Sequence, residues 1–561
     1  MLRRARGLGA LLVLGVVSAA CQPTPTPTPS AGESLAPFVA TSHPADAPAD
    51  CAYGGEIAQI KAVDRLTVEF SLCYPDAAFL AKVAMANNAI QDRSWLARYG
   101  AMGRLRANAN GTGPYLVSDA APTTGDEITL GRFDGYWGPP AKAATVVVKW
   151  SPEPSTRLRA LQLDRVDGID SPASETLQTI QDDPALQLQR GEALSTFYLG
   201  MTNTFEPFDS LRIRRALAVG IDRQQIVDAA FPPGTSLADY FTPCAIEFGC
   251  AGDPWYDHDL AAARAALEEP GFPGQLTTHI YYRDEAACGL PDPTLVAREL
   301  QAQIQDDLGI AADLQPQASA IFLDNLSAGL LDGLYLLEWC PDLPDVTSFL
   351  DYHFNNPANA QFGSIDPTIR NALAAAARAA DPEARGNAYG KANDAIRDLV
   401  PMIPLAHGGM ATAWKADVLG TGSSPVDGEQ FAAIDPGGRA QLAWMQSASP
   451  ATFYCADATD GDSRRVCQNI FEGLYGFKPG SAEVRPSLAE SCQANQELTV
   501  WTCNLRSGVT FHDGASLDAS DVLASFAAQW DYEQPMHAGR TGAFAAWVGQ
   551  FGPFLNAPVV P

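Results

Sequence analysis

The sequence lacks the common signatures of hydrolases and of zinc sites. It contains no G-x-S-x-G nucleophile motif, no H-E-x-x-H metalloprotease motif and no Cys/His cluster with zinc spacing. Its 7 histidines are scattered, so solvated or core positions are the default for each of them. The sequence therefore gives little support for an enzyme, and it predicts no catalytic residues, no metal site and no cofactor.

Positive charge is also scarce. The chain has 37 Lys and Arg against 65 Asp and Glu, which gives a net charge of −28. Such a surface repels nucleic acid and anionic lipid headgroups, so neither is an expected partner. The length of 561 residues allows two or three domains, and 46% hydrophobic residues with 42 prolines are typical of a loop-rich α/β protein.

The only notable hydrophobic run near the start of the chain is short. Arg3, Arg4 and Arg6 precede the apolar segment Leu8–Val17, which is too short to cross a bilayer. This pattern is typical of an export signal, and we expect residues 1–21 to form one.

Cys21 ends the segment SAAC and resembles the lipidated cysteine of a bacterial lipoprotein, although Ser18 stands where leucine is usual. An ordinary signal peptide with a chance cysteine is the alternative. Residues 22–50 are rich in Pro, Thr, Ala and Ser and begin with PTPTPTP, which predicts an extended, disordered tether. The chain is thus expected to be lipid-anchored on the outer face of a membrane.

Cysteine usage agrees with export, because exported chains commonly form disulfides. Of the 11 cysteines, ten remain when Cys21 is set aside. Proximity in sequence suggests four pairs, with other connectivities left open: Cys51–Cys73, Cys244–Cys250, Cys455–Cys467 and Cys492–Cys503. Cys288 and Cys340 remain, and we pair them because both lie just beyond the ends of predicted strands. The Cys492–Cys503 pair brackets the strand-like segment QELTVWT and would join a hairpin, with about 2–3 kcal/mol of stabilisation in the chain-entropy model.

Hydropathy patterns predict a mixed α/β fold. Ile57–Leu72 alternates like two strands around a polar Asp64-Arg65 turn, and Ala451–Cys455 is also strand-like. Phe79–Ile90 has helical spacing. Ser210–Phe231 predicts two helices, with Asp222 as the N-cap of the second.

A strand–helix–strand alternation occupies residues 276–340. It consists of the strands Leu276–Arg283, Ala311–Pro316 and Leu334–Cys340 and the helix Pro293–Ile310. This order predicts a parallel sheet with a right-handed crossover. Such sheets bind ligands in the crevice beyond the carboxyl ends of their strands, so the end of the last strand is a candidate site.

Several segments together carry a family resemblance. In chain order they are GTGPYLV, RFDGYWG, LRIRRALAVGIDRQQIV, WCPDLPDVTSFL, MIPLAHG, IFEGLYGF, LAES, and LRSGVTFHDG with DASDV. They resemble the bacterial extracellular solute-binding family that includes the oligopeptide- and dipeptide-binding proteins of ABC importers. The resemblance covers nearly all of residues 52–550. It implies a type II, two-lobed clamshell with three subdomains, which closes on a ligand and delivers it to the membrane subunits of a permease.

The order of these segments differs from that of the family. Residues about 450–530 resemble the N-terminal part of the family's sequence, and residues about 55–440 resemble the remainder, which we interpret as a circular permutation. The expected domains are a small inserted subdomain (51–105 with 490–561), a first lobe (106–240 with 425–489) and a second lobe (241–424). The permutation predicts that residues about 530–550 lie next to residues about 54–62.

The resemblance also suggests binding residues. In peptide-binding relatives, the acid at the position of Asp342 receives the ligand's α-ammonium group, a charge-assisted hydrogen bond that selects a free amino terminus. The alternative is that Asp342 caps a turn in a proline-rich loop. Trp339 either forms the wall of a side-chain pocket or belongs to the core.

Further candidates lie elsewhere in the chain. The segment from Tyr454 to Asp457 is expected to line the edge of the cleft in the first lobe, where relatives pair their backbone with an extended peptide. Asn203 and Phe354 are weaker candidates, which either contact the ligand or hold loops together, and the second role is favoured. No Arg or Lys can be matched to the carboxylate end of a peptide.

The resemblance thus predicts a monomeric peptide-binding lipoprotein of an ABC importer. A sugar, a nickel complex or haem is the alternative ligand within the same fold. A receptor without a transport role is a second alternative, and a secreted hydrolase is a remote third.

Overall fold

The computed structural model describes residues 37–100, 103–119, 127–232, 234–268, 276–285, 292–341, 343–356, 359–537 and 544–558. The chain divides into two units, Met1–Val39 and Ala40–Pro561, and the fold given below is that of the second. The expected signal peptide, Cys21 and most of the tether lie outside the described residues, as do Cys288 and Asp342. No helix in the described part of the chain is long and apolar enough to span a membrane.

The described residues contain eighteen strands. They are β1 (Thr41–His43), β2 (Ile57–Asp64), β3 (Thr67–Leu72), β4 (Tyr115–Asp119), β5 (Glu127–Arg132), β6 (Thr145–Trp150), β7 (Gly168–Asp170), β8 (Leu186–Met201), β9 (Ser236–Leu237), β10 (Thr277–Arg283), β11 (Ala311–Gln317), β12 (Leu334–Trp339), β13 (Met402–Lys415), β14 (Gln441–Gln446), β15 (Tyr475–Phe477), β16 (Val484–Pro486), β17 (Ala489–Ala494) and β18 (Val500–Leu505).

The same part of the chain contains fifteen α-helices. They are α1 (Phe79–Lys82), α2 (Arg93–Tyr99), α3 (Pro154–Gln162), α4 (Leu177–Asp182), α5 (Leu211–Gly220), α6 (Arg223–Ala230), α7 (Leu260–Glu268), α8 (Pro293–Ala302), α9 (Ser319–Ser327), α10 (Leu350–Phe354), α11 (Pro367–Ala376), α12 (Pro382–Leu399), α13 (Gly461–Ile470), α14 (Ala519–Trp530) and α15 (Ala545–Phe551).

A small antiparallel sheet is built from both ends of the described chain. Its order is β1-β2-β3-β18-β17, so the early strand β3 pairs directly with the late strand β18. The predicted pair of strands around the Asp64-Arg65 turn is confirmed as β2 and β3. We call this sheet with α14 and α15 the small subdomain.

The two chain regions that the permutation hypothesis brings together are in contact. The backbone N–H of Glu56 donates to the carbonyl of Phe551 at 2.9 Å. The indole N–H of Trp530 donates to the hydroxyl of Tyr53 at 3.1 Å. The expected proximity of the two regions is therefore present in the fold.

A large mixed sheet has the order β11-β10-β12-β8-β13-β7-β14-β6-β5-β4, with β9 added beside β13. Its central strands β8 and β13, of 16 and 14 residues, pair with one another along most of their length. On one side they continue into β12, and on the other β13 pairs with β7. We call the half of the sheet with β10–β12 the second lobe and the half with β4–β7 and β14 the first lobe.

The predicted parallel sheet is confirmed in the second lobe, where β10 pairs in parallel with both β11 and β12. Its hydrophobic core also includes the buried side chains of α5 and α6, between Phe197 and Phe231. The domain boundary expected at residue 240 assigns these helices to the first lobe. The structure groups them with the second lobe, because β8 has already crossed from one lobe to the other before α5 begins.

Four of the suggested cysteine pairs are disulfides in the structure: Cys51–Cys73, Cys244–Cys250, Cys455–Cys467 and Cys492–Cys503. The last pair joins directly opposed positions of β17 and β18, as the hairpin prediction requires. Cys340 is also disulfide-bonded. Its suggested partner, Cys288, lies outside the described residues.

Two predicted elements are corrected. The helix expected over residues 79–90 stops at Lys82, and a 3₁₀ turn comes next at Ala86–Asn88. The Asn88 side chain donates to the Lys82 carbonyl at 2.7 Å, and such side-chain bonds compete with continuation of a helix. The strand expected at 451–455 is absent, and a 3₁₀ turn at Cys455–Asp457 ends this segment instead.

Phe526 of α14 tests how strongly the late helices and the early strands depend on each other. Its buried ring lies 5.1 Å from the ring of Phe70 on β3 and 6.1 Å from that of Trp547 on α15. Because Phe526→Ala leaves a cavity between these elements, we expect the free energy of unfolding to fall by about 3–5 kcal/mol in chemical denaturation. The control Val548→Ala, at a position 45% exposed on α15, should change it by about 0.5 kcal/mol or less. Equal effects of the two changes would contradict this packing.

Candidate ligand-binding site

The end of β12, where the sequence predicts a crevice, lies where the large sheet passes from one lobe to the other. Trp339, at the carboxyl end of β12, is paired with Thr196 of β8, and Thr196 is paired in turn with His407 of β13. The Thr196 hydroxyl donates to the Phe241 carbonyl at 2.7 Å and lies 3.1 Å from Nδ1 of His407. Trp339 is thus fixed beside the strands that join the lobes.

Trp339 forms the centre of an aromatic group at this position. Its ring stacks on that of Tyr352, with centroids 4.3 Å apart and planes inclined by 24°. His353 packs against its edge at 4.7 Å. Trp339 is partly buried against the second-lobe core, while Tyr352 is 44% exposed. Both predicted roles of Trp339 are compatible with this geometry, because one part of the stack is anchored and another is accessible.

Burial determines the charge state of His353, the titratable histidine of this aromatic group. Desolvation lowers the pKa of the buried His353 to about 3, with a partly opposing hydrogen bond to the backbone of Phe349. Its Nδ1 lies 2.7 Å from the Phe349 carbonyl oxygen. His353 is therefore neutral at physiological pH and supports the stack as an aromatic ring rather than as a cation.

Phe354 lies in the second-lobe core. It is 1% exposed, and its ring stacks on that of Phe362 with centroids 5.0 Å apart and planes inclined by 10°. Phe241 packs against it at 5.9 Å. This position favours the packing role over contact with a ligand.

Asn203 lies just beyond the C-terminal end of β8, where β8 pairs with the start of β12 rather than with Trp339 at its end. It is seven residues beyond Thr196, which corresponds to about 23 Å along an extended strand. Its side-chain amide donates to the Ser364 carbonyl at 2.7 Å and accepts from the Ser364 N–H at 2.8 Å. These reciprocal bonds favour the loop-joining role, and Asn203 lines a separate cavity of about 260 Å³.

The Tyr454–Asp457 segment does not offer a strand edge. The carbonyl of Tyr454 accepts from the Asp457 N–H at 3.0 Å, and that of Cys455 accepts from Ala458 at 3.0 Å and from the Asn87 amide at 2.8 Å. Because these carbonyls already accept hydrogen bonds within the chain, this conformation disfavours backbone pairing with an extended peptide at Tyr454 and Cys455. Contact of Tyr454 or Asp457 with a ligand stays a prediction.

Asp342 lies outside the described residues, but its neighbours on both sides are described. Trp339 precedes it, and Asp345 comes after it in the same segment. Asp345 accepts from the N–H and the hydroxyl of Thr347 at 2.9 and 2.8 Å and caps the turn Val346–Ser348. The turn-capping role considered for Asp342 is thus performed, for this turn, by Asp345.

Two residues that sequence reasoning missed lie beside this segment. Glu338 is 7% exposed at the end of β12, and burial raises its pKa to about 8, with partial compensation by Arg283. Glu338 is the single acidic residue in the apolar run LYLLEW, and this isolated charge could have identified it from the sequence. Arg385 pairs with Asp345 at 3.1 Å, and no local pattern in the sequence marks it.

These features together define a type II periplasmic binding protein, with a candidate site beside the strands shared by its lobes. The model of the family described as bacterial extracellular solute-binding proteins, family 5 Middle, matches residues 27–361 and 483–546. The chain belongs to this family, whose members are binding proteins of transporters and not enzymes.

Individual relatives have low sequence identity to this chain, but the matches extend over about two thirds of its length. The peptide transport periplasmic protein SapA of Salmonella typhimurium is 25% identical over 404 residues, which are 68% of this chain and 70% of SapA. Di/tripeptide-binding protein 2 of Pseudomonas aeruginosa is 24% identical over 387 residues, 67% of this chain and 71% of that protein. The structure of HbpA2 from Haemophilus parasuis has a TM-score of 0.60 at 24% identity and covers 65% of this chain and 72% of its own.

Glu338 predicts a specific dependence of stability on pH. Its pKa in the folded protein, about 8, exceeds the ordinary value of 4.5, so the folded state binds more protons between these values. Its contribution to stability is therefore present at low pH and is lost as the pH rises through this window, at up to about 1.4 kcal/mol per pH unit. Glu338→Gln removes this loss, and its melting temperature should exceed that of the wild type increasingly from pH 5 to pH 9. A difference that is constant with pH would contradict the assignment.

Proposed function

We propose that this protein is the substrate-binding component of an ABC importer and that it captures peptides in the crevice beside Trp339. The observation that carries the proposal is the position of the WCPDLPDVTSFL segment. It begins at the carboxyl end of β12, against the two strands that connect the lobes. The names of the relatives SapA and di/tripeptide-binding protein 2 support peptides as the class of ligand.

The chemistry of the site fits two parts of a peptide. The Asp342 carboxylate would receive the α-ammonium group, and burying that group without a partner would cost several kcal/mol. The stacked rings of Trp339 and Tyr352 provide an apolar surface for a side chain. The site thus distinguishes a free amino terminus from a blocked one, while the aromatic surface tolerates various side chains.

The export features complete the proposal. Cys21 would carry the lipid anchor, and residues 22–50 would hold the binding unit away from the membrane, within reach of the permease. The protein would act as a monomer on the outer face of the membrane. Binding and release, with no covalent step, are sufficient for this role.

Thermal shift with defined ligands tests the proposal. A free peptide at 100 times its Kd should add about 2.7 kcal/mol of stability, whereas an acetylated copy should add much less. Asp342→Asn should remove this discrimination. The matched control Asp324→Asn, at an exposed position on α9, should retain it.

A panel of sugars, nickel complexes and haem decides between the possible ligands. Stabilisation by one of these, with none by free peptides, would contradict peptide capture while leaving the fold assignment in place. If Asp342→Asn still distinguishes free from acetylated peptides, only the role proposed for Asp342 is contradicted.

We also infer that the chain is a circular permutation of its family's order. The interleaved strands of the small subdomain support this interpretation, because the N-terminal and C-terminal segments meet in one sheet. His43 and Leu555 both contact Asp531, the first by a 2.9 Å side-chain bond and the second through a backbone bridge. The two ends of the described chain therefore lie close enough for a short connection.

A reordered chain tests this inference. It begins at Ala451, continues to residue 558, passes through a flexible linker to Ala40 and ends at Pro450. Because every strand pair is retained, we expect its melting temperature and ligand profile to match those of the native order. A control opened inside β8, after Glu192, interrupts the strand shared by both lobes and should not fold. Failure of the Ala451 chain to fold would contradict the inference.

A further inference from the structure

Arg385 makes a hydrogen bond from the second lobe to a residue outside that lobe. It lies in the first turn of α12, and its Nη1 donates at 3.1 Å to the carbonyl of Ala77, 308 residues away. Ala77 lies between β3 of the small subdomain and α1, and Ala86 and Ala89, which come shortly after it, are buried in the first-lobe core. The donor thus belongs to the second lobe, whereas the acceptor lies in a stretch that continues into the first lobe.

The same guanidinium group holds the segment that begins at Trp339. Its Nη2 lies 3.1 and 3.3 Å from the two carboxylate oxygens of Asp345. The side chains of Arg385 and Asp345 are only 11% and 12% exposed, so this pair is largely shielded from water. Asp345 stands three residues beyond Asp342. Arg385 therefore connects Asp345 of the second lobe to the Ala77 carbonyl.

The acceptor side is held in place by a buried ionic cluster. The Asp76 carboxylate accepts from the N–H of Ala78 at 2.7 Å and lies 3.0 Å from the Lys82 ammonium. Lys82 also pairs with Glu56. These bonds fix the turn on both sides of the Ala77 carbonyl, so its direction does not depend on Arg385.

The donor side is held by aromatic rings. The Arg385 guanidinium carbon lies 5.6 Å from the ring centroid of Phe248 and 5.4 Å from that of Tyr389. Such cation–π contacts keep the guanidinium in one place when they are shielded from water. Both partners of the Arg385–Ala77 bond are therefore positioned before they meet.

We propose that Arg385 is a positioning residue for ligand capture, which fixes Asp345 and the turn Val346–Ser348 that Asp345 caps, and which stabilises the closed cleft through the Ala77 carbonyl. Rotation of the lobes about β8 and β13 breaks the bond to Ala77, whereas the pair with Asp345 moves as part of the second lobe. Arg385 therefore favours the closed form in particular. The proposal rests on the proposed binding function, but not on any contact between Arg385 and the ligand.

Binding kinetics of the full-length chain test the closing step, with trialanine as the probe. Loss of one charge-assisted hydrogen bond from the closed form should accelerate dissociation by about tenfold in Arg385→Met. Association should be unchanged, because the ligand enters the open form, which lacks this bond. Arg385→Lys keeps the positive charge but loses the planar set of N–H donors of the guanidinium group. Its dissociation rate should therefore lie between those of the wild type and Arg385→Met.

Arg397→Met is the matched control on the same helix. Arg397 donates to the Pro254 carbonyl at 2.8 Å and lies over the Tyr256 ring at 4.2 Å, both within the second lobe. The Arg397→Met variant should leave the dissociation rate unchanged even if the substitution lowers the melting temperature. Equal dissociation rates for Arg385→Met, Arg397→Met and the wild type would overturn the closing role.

Hydrogen exchange tests the positioning step without any ligand. The Thr347 N–H, bonded to Asp345, should exchange faster in Arg385→Met than in the wild type or in Arg397→Met, and Asp345→Asn should have a similar effect. Unchanged exchange in Arg385→Met would overturn the positioning role. If the wild type fails to bind trialanine, peptide capture is contradicted, and the exchange measurement alone decides the role of Arg385. If Arg385→Met does not fold, Arg385→Lys supplies both measurements.

Discussion

The strands β8 and β13 are the constraint on which the rest of the structure depends. They carry the sheet from one lobe into the other, and their register shifts twice, between Pro404 and Ala406 and between His407 and Gly409. Two glycines, Gly408 and Gly409, stand at the second shift. Irregular pairing without side chains to pack is weaker than the regular pairing on either side, so we expect relative motion of the lobes to be concentrated there.

The position of the candidate site is a consequence of this crossing. Trp339 is paired with β8 beside this crossing, and Arg385 of the second lobe donates to the carbonyl of Ala77, which is outside that lobe. A small rotation at the crossing therefore changes the distance between Arg385 and Ala77 more than it changes any contact inside a lobe. This geometry is suited to a protein that binds by closing, because the closed form can be stabilised by residues that never touch the ligand.

Sequence reasoning succeeded where the determining contacts are local. Alternation identified β2 and β3, and Asp222 was identified as an N-cap, which its bond to the Gln225 N–H confirms. It failed at residues 79–90, where the helical spacing was outweighed by an asparagine side chain that bonds back to Lys82. It had no means of finding Arg385, whose partners Asp345 and Ala77 lie 40 and 308 residues away. Short patterns thus identified much of the fold and suggested a candidate segment for the site, while contacts such as that of Arg385 with Ala77 depend on the complete fold.

The scarcity of positive charge gives the remaining cations particular weight. Within the first lobe, the largely buried Arg465 pairs with Glu429, with Asp462 at 2.8 Å and with Asp170 at 3.4 Å. Arg385 and Lys82 are likewise engaged with carboxylates in shielded positions. Replacing such a cation leaves buried carboxylates without a partner, which costs more than the loss of an exposed pair. In a chain with 65 acidic and 37 basic residues, these cations hold the acidic segments together. A ligand that brings an ammonium group supplies the kind of charge that this protein itself has in short supply.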